Sequence, residues 1–311
     1  MKRKMLNVPK GGYDGMKGFT IVEFLVAGLL SIIVLIAVVS SYFTSRKLND
    51  AANERLAIQQ DLRNAATLIV RDARMAGSFG CFNMSEHTEK DVVFDVAQKN
   101  RPFSLKGSSA NKLIPIAESL NIGYQGFAQV RPALIFQYGI DDVNASAETT
   151  VVSSCGVISK PGKQIPTLED AKKELKIQNS GKEQNGNIAR QRHVVNAYAV
   201  GRIAGEKGLF RFQLDDKGKW GNPQLLVKKV KRMDVRYIYV SGCPEDAGKE
   251  EQFKYTDKFD KSRDAVTPAG VEVLLDSGLD AKIAASSDNS IYAYRINATI
   301  RGGNVCANRT L

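Results

Sequence analysis

An α+β fold, with one long N-terminal helix packed on an antiparallel β-sheet head, is predicted by three features of this chain. Residues Phe19 to Phe43 form an apolar run of 25 whose only charge is Glu23. No proline interrupts the chain from there to Phe79, and apolar residues recur through that stretch every three to four positions. After Cys81 the pattern changes to short alternating runs rich in Val, Ile, Tyr and Phe, bounded by Gly, Asn and Asp. A helix followed by strands, rather than alternating with them, is the order of an α+β domain.

The first element is long enough to cross a bilayer. At about 1.5 Å of rise per residue, a helix of that length clears a hydrocarbon core of roughly 30 Å. Ahead of it stand Lys2, Arg3, Lys4, Lys10 and Lys17 against Asp14 alone, a bias that keeps the N-terminal side in the cytoplasm and sends the rest across. A secretory signal peptide has a core of only about 7–15 residues followed by a small-residue cleavage site. Here the run is longer and no Ala-x-Ala follows it, so the expected cut lies ahead of the run, between Gly18 and Phe19. Residues 1–18 are therefore read as a cleaved basic leader and 19–43 as the transmembrane half of the helix. Within that half Glu23 needs an explanation, because a charge at the bilayer centre costs about 2.5–3.5 kcal/mol even on lenient scales.

Residues 44–77 read as an amphipathic continuation of the same helix. Leu48, Ala51, Ala52, Leu56, Ile58, Leu62, Ala65, Ala66, Ile69, Ala73 and Ala76 make the apolar stripe, with Arg55, Gln59, Arg63 and Asp72 assigned to the positions between. The stripe is expected to pack on the head, and Gly77 to stop the helix. Residues 78–311 then form the β-rich head, with strands expected at Ala133–Tyr138, His193–Val200, Leu209–Gln213, Val227–Val240 and Ile291–Ile300. Two polar stretches, about 141–190 and 243–289, read as insertions with room for short helices.

The motif Lys17-Gly18-Phe19-Thr20-Ile21-Val22-Glu23 resembles the type IV prepilin signal. That resemblance implies cleavage after Gly18 by a prepilin peptidase, N-methylation of Phe19, and alignment of an incoming subunit by Glu23. The physics is compatible: the new amine of Phe19 and the carboxylate of Glu23 are opposite charges whose attraction in a low-dielectric bundle offsets part of their desolvation. Many major pilins carry a proline where this chain has Ser40, and its absence predicts a straighter helix. Arg74-Met75-Ala76-Gly77-Ser78-Phe79-Gly80-Cys81, and Val227-Lys228-Lys229-Val230-Lys231-Arg232-Met233-Asp234-Val235-Arg236-Tyr237 in the head, resemble the PilW-type minor pilins, which are similar in layout to the J-type pseudopilins of type II secretion. The resemblance covers the first 80 or so residues and the head only in patches.

A PilW-type resemblance implies a low-abundance subunit in a priming or tip complex that supports pilus assembly, twitching motility, adhesion or DNA uptake. Its implied partners are other minor pilins, the major pilin, the prepilin peptidase, the inner-membrane assembly platform and a tip adhesin. Its implied location is the bacterial inner membrane, single-pass with the head periplasmic, and then the pilus on the cell surface. The alternative reading is a J-type pseudopilin that works in secretion.

Four cysteines, Cys81, Cys155, Cys243 and Cys306, fall on the expected exported side, where an even number favours disulfides. Three pairings are open, and neighbour pairing, Cys81–Cys155 with Cys243–Cys306, is the expectation. No Cys-x-x-Cys is present and the two histidines, His87 and His193, are not spaced as zinc ligands. The sequence also lacks Gly-x-Ser-x-Gly, His-Glu-x-x-His and a phosphate loop, so the chain is read as non-enzymatic, without cofactor or metal. His193 reads as a structural imidazole, and Asp215-Asp216-Lys217-Gly218 as a hairpin turn rather than a calcium loop.

Formal charge is +11, of which the leader carries five positives and one negative, leaving +7. The densest basic cluster is Lys228, Lys229, Lys231 and Arg232, with Arg236, Tyr237 and Tyr239 close by. Phosphate contacts beside aromatic stacking are how sequence-tolerant single-strand binders work. Alternation along a strand favours the plainer reading, with Val230 inward and the lysines in solvent.

Overall fold

The computed structural model describes residues 18–93, 112–176, 187–241, 252–259, 267–276, 294–301 and 303. The leader expected at residues 1–18 lies outside the described residues except for Gly18. Two compact units divide the chain, Met1–Ala57 and Ile58–Leu311.

Helix α1 runs over Ile21–Met75, 55 residues without a break. Its part in the first unit contains a window long and apolar enough to cross a membrane, and none of that window is buried. Its part in the second unit is different, because Ile58, Leu62, Ala65, Ile69, Ala73 and Ala76 are buried at helical spacing. Gly77 ends the helix with φ +78°, the left-handed conformation that suits a residue without Cβ. It is also confined, since a Cβ there would meet Pro115 Cβ at 2.9 Å.

Fifteen strands are described in the second unit. Strands β1 (Ser78–Phe79) and β2 (Phe82–Asn83) pair directly after the helix. A nine-stranded sheet contains β3 (Val92–Val93), β4 (Ile116–Ser119), β5 (Phe127–Gln129), β6 (Ala133–Ile140), β7 (Thr150–Ser153), β8 (Ile158–Ser159), β9 (Ala189–Ile203), β10 (Glu206–Leu214) and β11 (Trp220–Lys228). The last four, β12 (Arg232–Ser241), β13 (Gln252–Thr256), β14 (Gly270–Asp276) and β15 (Tyr294–Thr299), form a second sheet in the order β13-β12-β14-β15. A short helix, α2 (Leu168–Glu174), is capped by Thr167, whose hydroxyl accepts from the Asp170 N–H.

The α+β expectation holds, and five of its details are corrected. Leu48, Ala51, Ala52 and Leu56, expected in the stripe that packs on the head, are exposed. The larger sheet is mixed, because β3 pairs with β8 in parallel. Val227–Val240 is two strands in two sheets, broken where Lys229 takes φ 62°. The stretch 141–190 holds β7, β8, α2 and the start of β9, so that strand exceeds His193–Val200 at both ends. The stretch 243–289 supplies β13 and β14, and β14 lies inside its sheet. Its Val271, Val273, Leu274 and Leu275 are all buried, so the strand lacks the polar-apolar alternation that marks a half-exposed one.

One core joins the buried stripe of α1 to both sheets. Ile58, Leu62, Ile69 and Ala73 pack with Phe136 and Tyr198 of the larger sheet and with Tyr237, Val271 and Val273 of the smaller. Each large aliphatic side chain buried this way contributes roughly 1.5–3 kcal/mol.

Candidate functional site

Two carboxylates on α1 carry most of the chemistry on view. The first is Glu23, at the start of the helix. Its Oε2 accepts from the Thr20 N–H at 3.0 Å and from the Thr20 hydroxyl at 3.0 Å, while the Glu23 N–H donates back to Thr20 Oγ1 at 3.3 Å. This is a capping box, in which Thr20 and Glu23 satisfy each other's first-turn donors. Around it Phe19 is 90% exposed and Ile21 81%, and the large apolar side chains onward to Phe43 are all exposed. A carboxylate and a wide exposed apolar surface thus share one helix end.

The second is Asp72, fully buried in the last turn of α1. The helix dipole disfavours a negative charge there, so its donors must compensate. Its Oδ1 accepts from Tyr138 Oη at 2.9 Å and from Arg71 Nη2 at 3.0 Å. Its Oδ2 accepts from Tyr198 Oη at 2.6 Å and Asn196 Nδ2 at 2.9 Å, with Arg211 Nη2 at 3.5 Å. Tyr138 comes from β6, Asn196 and Tyr198 from β9, and Arg211 from β10 opposite Tyr198, so three neighbouring strands converge on one helix residue. Burial, reinforced by the Asp72 charge, raises the Tyr138 hydroxyl to about 12 and pushes Tyr198 well above its ordinary range. Both phenols therefore stay protonated and keep donating.

This cluster corrects the reading of Asp72 as one of the polar residues between stripe positions. It is in phase with the stripe, three residues after Ile69 and seven after Ala65. A charged residue at a core position is a signal the sequence did carry, and Asn196 within a run of strand formers was its counterpart.

Cys81 and Cys155 are bonded, with sulfurs 2.00 Å apart across a separation of 74 residues. The bond fixes the exit of α1 to the β7–β8 turn, the first of the two expected pairs. Cys243 and Cys306 lie outside the described residues. His193 is completely buried, with Nε2 at 3.2 Å from Gln137 Oε1 and the Phe79 ring edge-on at 5.5 Å. Burial lowers its pKa to about 3, so the imidazole is neutral. His87 stacks on Phe82 with ring centroids 4.2 Å apart, and its Nδ1 lies 3.5 Å from Asp91 Oδ2.

The basic cluster straddles the break between β11 and β12. Lys228, Lys229 and Lys231 are exposed while Val230 is buried. Arg232 pairs with Asp234 at 2.8 Å, and Arg236 approaches Asp257 at 3.2 Å and Glu272 at 3.6 Å. Tyr237 is buried, with its hydroxyl donating to Glu118 at 2.7 Å, so its ring cannot stack on a base. Asp215 makes a hairpin turn between β10 and β11, its Oδ1 accepting from the N–H groups of Lys217 at 2.9 Å and Lys219 at 2.8 Å.

No family model, no curated protein and no solved structure matches this chain.

Proposed function

We propose that this chain is a minor pilin of a type IV pilus, held in the bacterial inner membrane before assembly and then built into a priming or tip complex with other pilins. The observation that carries the reading is Gly18-Phe19 with Glu23 at the head of a helix whose large apolar residues from Phe19 to Phe43 are exposed among the described residues. Such a surface is stable only against lipid or against like helices. A filament offers both in turn: bilayer before assembly, neighbouring helices after it.

On this reading prepilin peptidase cuts at Gly18, and the Phe19 amine becomes a positive charge at the helix tip. Glu23 then pairs with the Phe19 amine of an adjacent subunit, which fixes the axial offset of that one pair because an uncompensated charge in the bundle is costly. The head contributes contacts to other minor pilins and the major pilin, and the chain works by assembly rather than catalysis. Twitching, adhesion and DNA uptake follow from the pilus it helps to build.

Mass spectrometry of the protein recovered from cell membranes tests the first step. A mature N-terminus at methylated Phe19, lost in a prepilin-peptidase deletion strain, is the expected result. An intact leader in both strains would overturn the reading. A J-type pseudopilin would be processed in the same way, and scoring pili against exoprotein secretion separates the two.

A further inference from the structure

A groove on the exposed side of α1, within the second unit, is lined by Arg63, Ala66, Thr67, Val70 and Arg74, with Tyr294 of β15 as its wall. Ala66 and Val70 are half-buried at the edge of the core and make a narrow apolar floor. Arg63 and Arg74 flank that floor, both exposed and without an acidic partner among the described residues. Two guanidinium groups without an acidic partner among the described residues, eleven residues apart on one helix face, fit two carboxylates at the same spacing on another helix.

The same helix carries a segment of matching charge. Asp50, Asn53, Glu54, Ala57 and Asp61 repeat the spacing of Arg63, Ala66, Thr67, Val70 and Arg74, thirteen residues earlier. Both sets follow positions i, i+3, i+4, i+7 and i+11, the spacing of one helix face. Laid side by side in parallel, Asp50 meets Arg63 and Asp61 meets Arg74, while Glu54 falls beside Thr67, whose hydroxyl donates to the Arg63 carbonyl at 3.0 Å. Ala57 covers Val70. Asn53 falls beside Ala66, where the short alanine leaves room for the amide to turn toward the Thr67 hydroxyl. The contact is therefore held mainly by its two outer charge pairs, and Ala57 and Ala66 let the backbones approach between them.

We propose that this groove binds the Asp50–Asp61 segment of a second copy of this chain, parallel and staggered by thirteen residues, or about 20 Å along the helix. The two faces differ, so the contact is heterologous and joins two copies head to tail instead of closing as a two-fold dimer. An antiparallel pair would also match Asp50 with Arg74 and Asp61 with Arg63, but it would place the two anchors at opposite ends. The parallel choice therefore rests on the membrane-anchored reading above. Two copies at equal depth in one bilayer cannot adopt the stagger, so the contact forms only when one copy has been raised relative to the other.

The test uses two differently tagged full-length chains co-purified in detergent, where no bilayer fixes their heights. Asp50→Cys in one copy with Arg63→Cys in the other, and Asp61→Cys with Arg74→Cys, should give disulfide-linked dimers on mild oxidation. Asp50→Cys with Asp50→Cys, Asp50→Cys with Arg74→Cys, and the chain with its natural cysteines alone should not. Arg74→Asp should lower the 50–63 yield severalfold, and Asp61→Arg in the partner copy should restore it. Linkage of 50 to 74, absence of the staggered linkages in chains folded by circular dichroism, or failure of the charge swap to restore them would overturn the proposal. So would DNA binding that Arg63→Asp and Arg74→Asp abolish in chains that never cross-link. Pili lost on gene deletion without the staggered linkage would leave the pilin reading standing and this one refuted, and the linkage with unaffected pili would do the reverse.

Discussion

Glu23 and Asp72 sit on the same helix and are treated in opposite ways. Asp72 is surrounded by phenols, an amide and two guanidinium groups, so its charge is answered within the fold. Among the described residues Glu23 is held by Thr20 alone, and its surroundings are exposed apolar side chains. The helix residues around each follow suit: beyond Ile58 the stripe is covered by both sheets, and before it the large side chains face outward. A buried charge with a complete set of donors fixes the fold, whereas a charge left incomplete on an apolar helix asks for a partner from another molecule.

The contrast is broken most strongly at Asp72. Asp72→Ala leaves the Tyr138 and Tyr198 hydroxyls without their acceptor, Asn196 with Tyr138 Oη alone and Arg211 without its carboxylate, and removing one side of a buried ionic network costs about 3–5 kcal/mol. Denaturant unfolding of the head should show that loss, while membrane association stays unchanged. Asp72→Asn should recover only part of it, since the amide offers one acceptor oxygen where the carboxylate offers two and carries no charge for the guanidinium groups.

Next in size is the bond between Cys81 and Cys155. Replacing both cysteines by serine should cost about 2–4 kcal/mol, because the unfolded chain regains the freedom of a long loop. Thermal unfolding with and without reductant would read this, and only the oxidised wild type should be the more stable.

A smaller effect belongs to His193. Its folded pKa lies near 3 and its ordinary value near 6.5, so the unfolded state binds a proton over a window in which the folded state does not. The stability it contributes is complete above about pH 6.5 and is lost as the pH falls toward 3. His193→Gln should flatten the stability profile across that window, and a slope identical to wild type would contradict the assignment.

Smallest of all is the expected effect of Glu23→Ala on the head. Unfolding of the second unit should be unchanged, because no residue of that unit hydrogen-bonds to Glu23 among the described contacts. A shift there would mean that the two carboxylates are not divided as described.

Where one physical signal decided an element, the sequence was sufficient to place it. The absence of proline and the three-to-four spacing located α1 to within two residues at each end, and Gly77 stopped it through its positive φ. Alternation found the middles of β6, β9, β10 and β15. It failed at β14, whose residues are buried on both faces, and at Lys229, where a single left-handed residue divides what looks like one strand. Pairing across the sheet depends on distant partners, so neither the parallel β3–β8 contact nor the convergence on Asp72 could be read from local pattern. Of the Gly18–Glu23 stretch, whose residues are adjacent in the chain, the structure adds the Thr20–Glu23 cap.

Deleting the gene and complementing it with wild type, Glu23→Ala or Asp72→Ala, with surface pili, exoprotein secretion and membrane-bound protein scored in the same strains, tests the division of roles most directly. The account predicts that Glu23→Ala yields a stable, membrane-bound protein but no restoration of pili, with secretion normal throughout, whereas Asp72→Ala lowers the amount of protein itself. Pili restored in full by Glu23→Ala would contradict it.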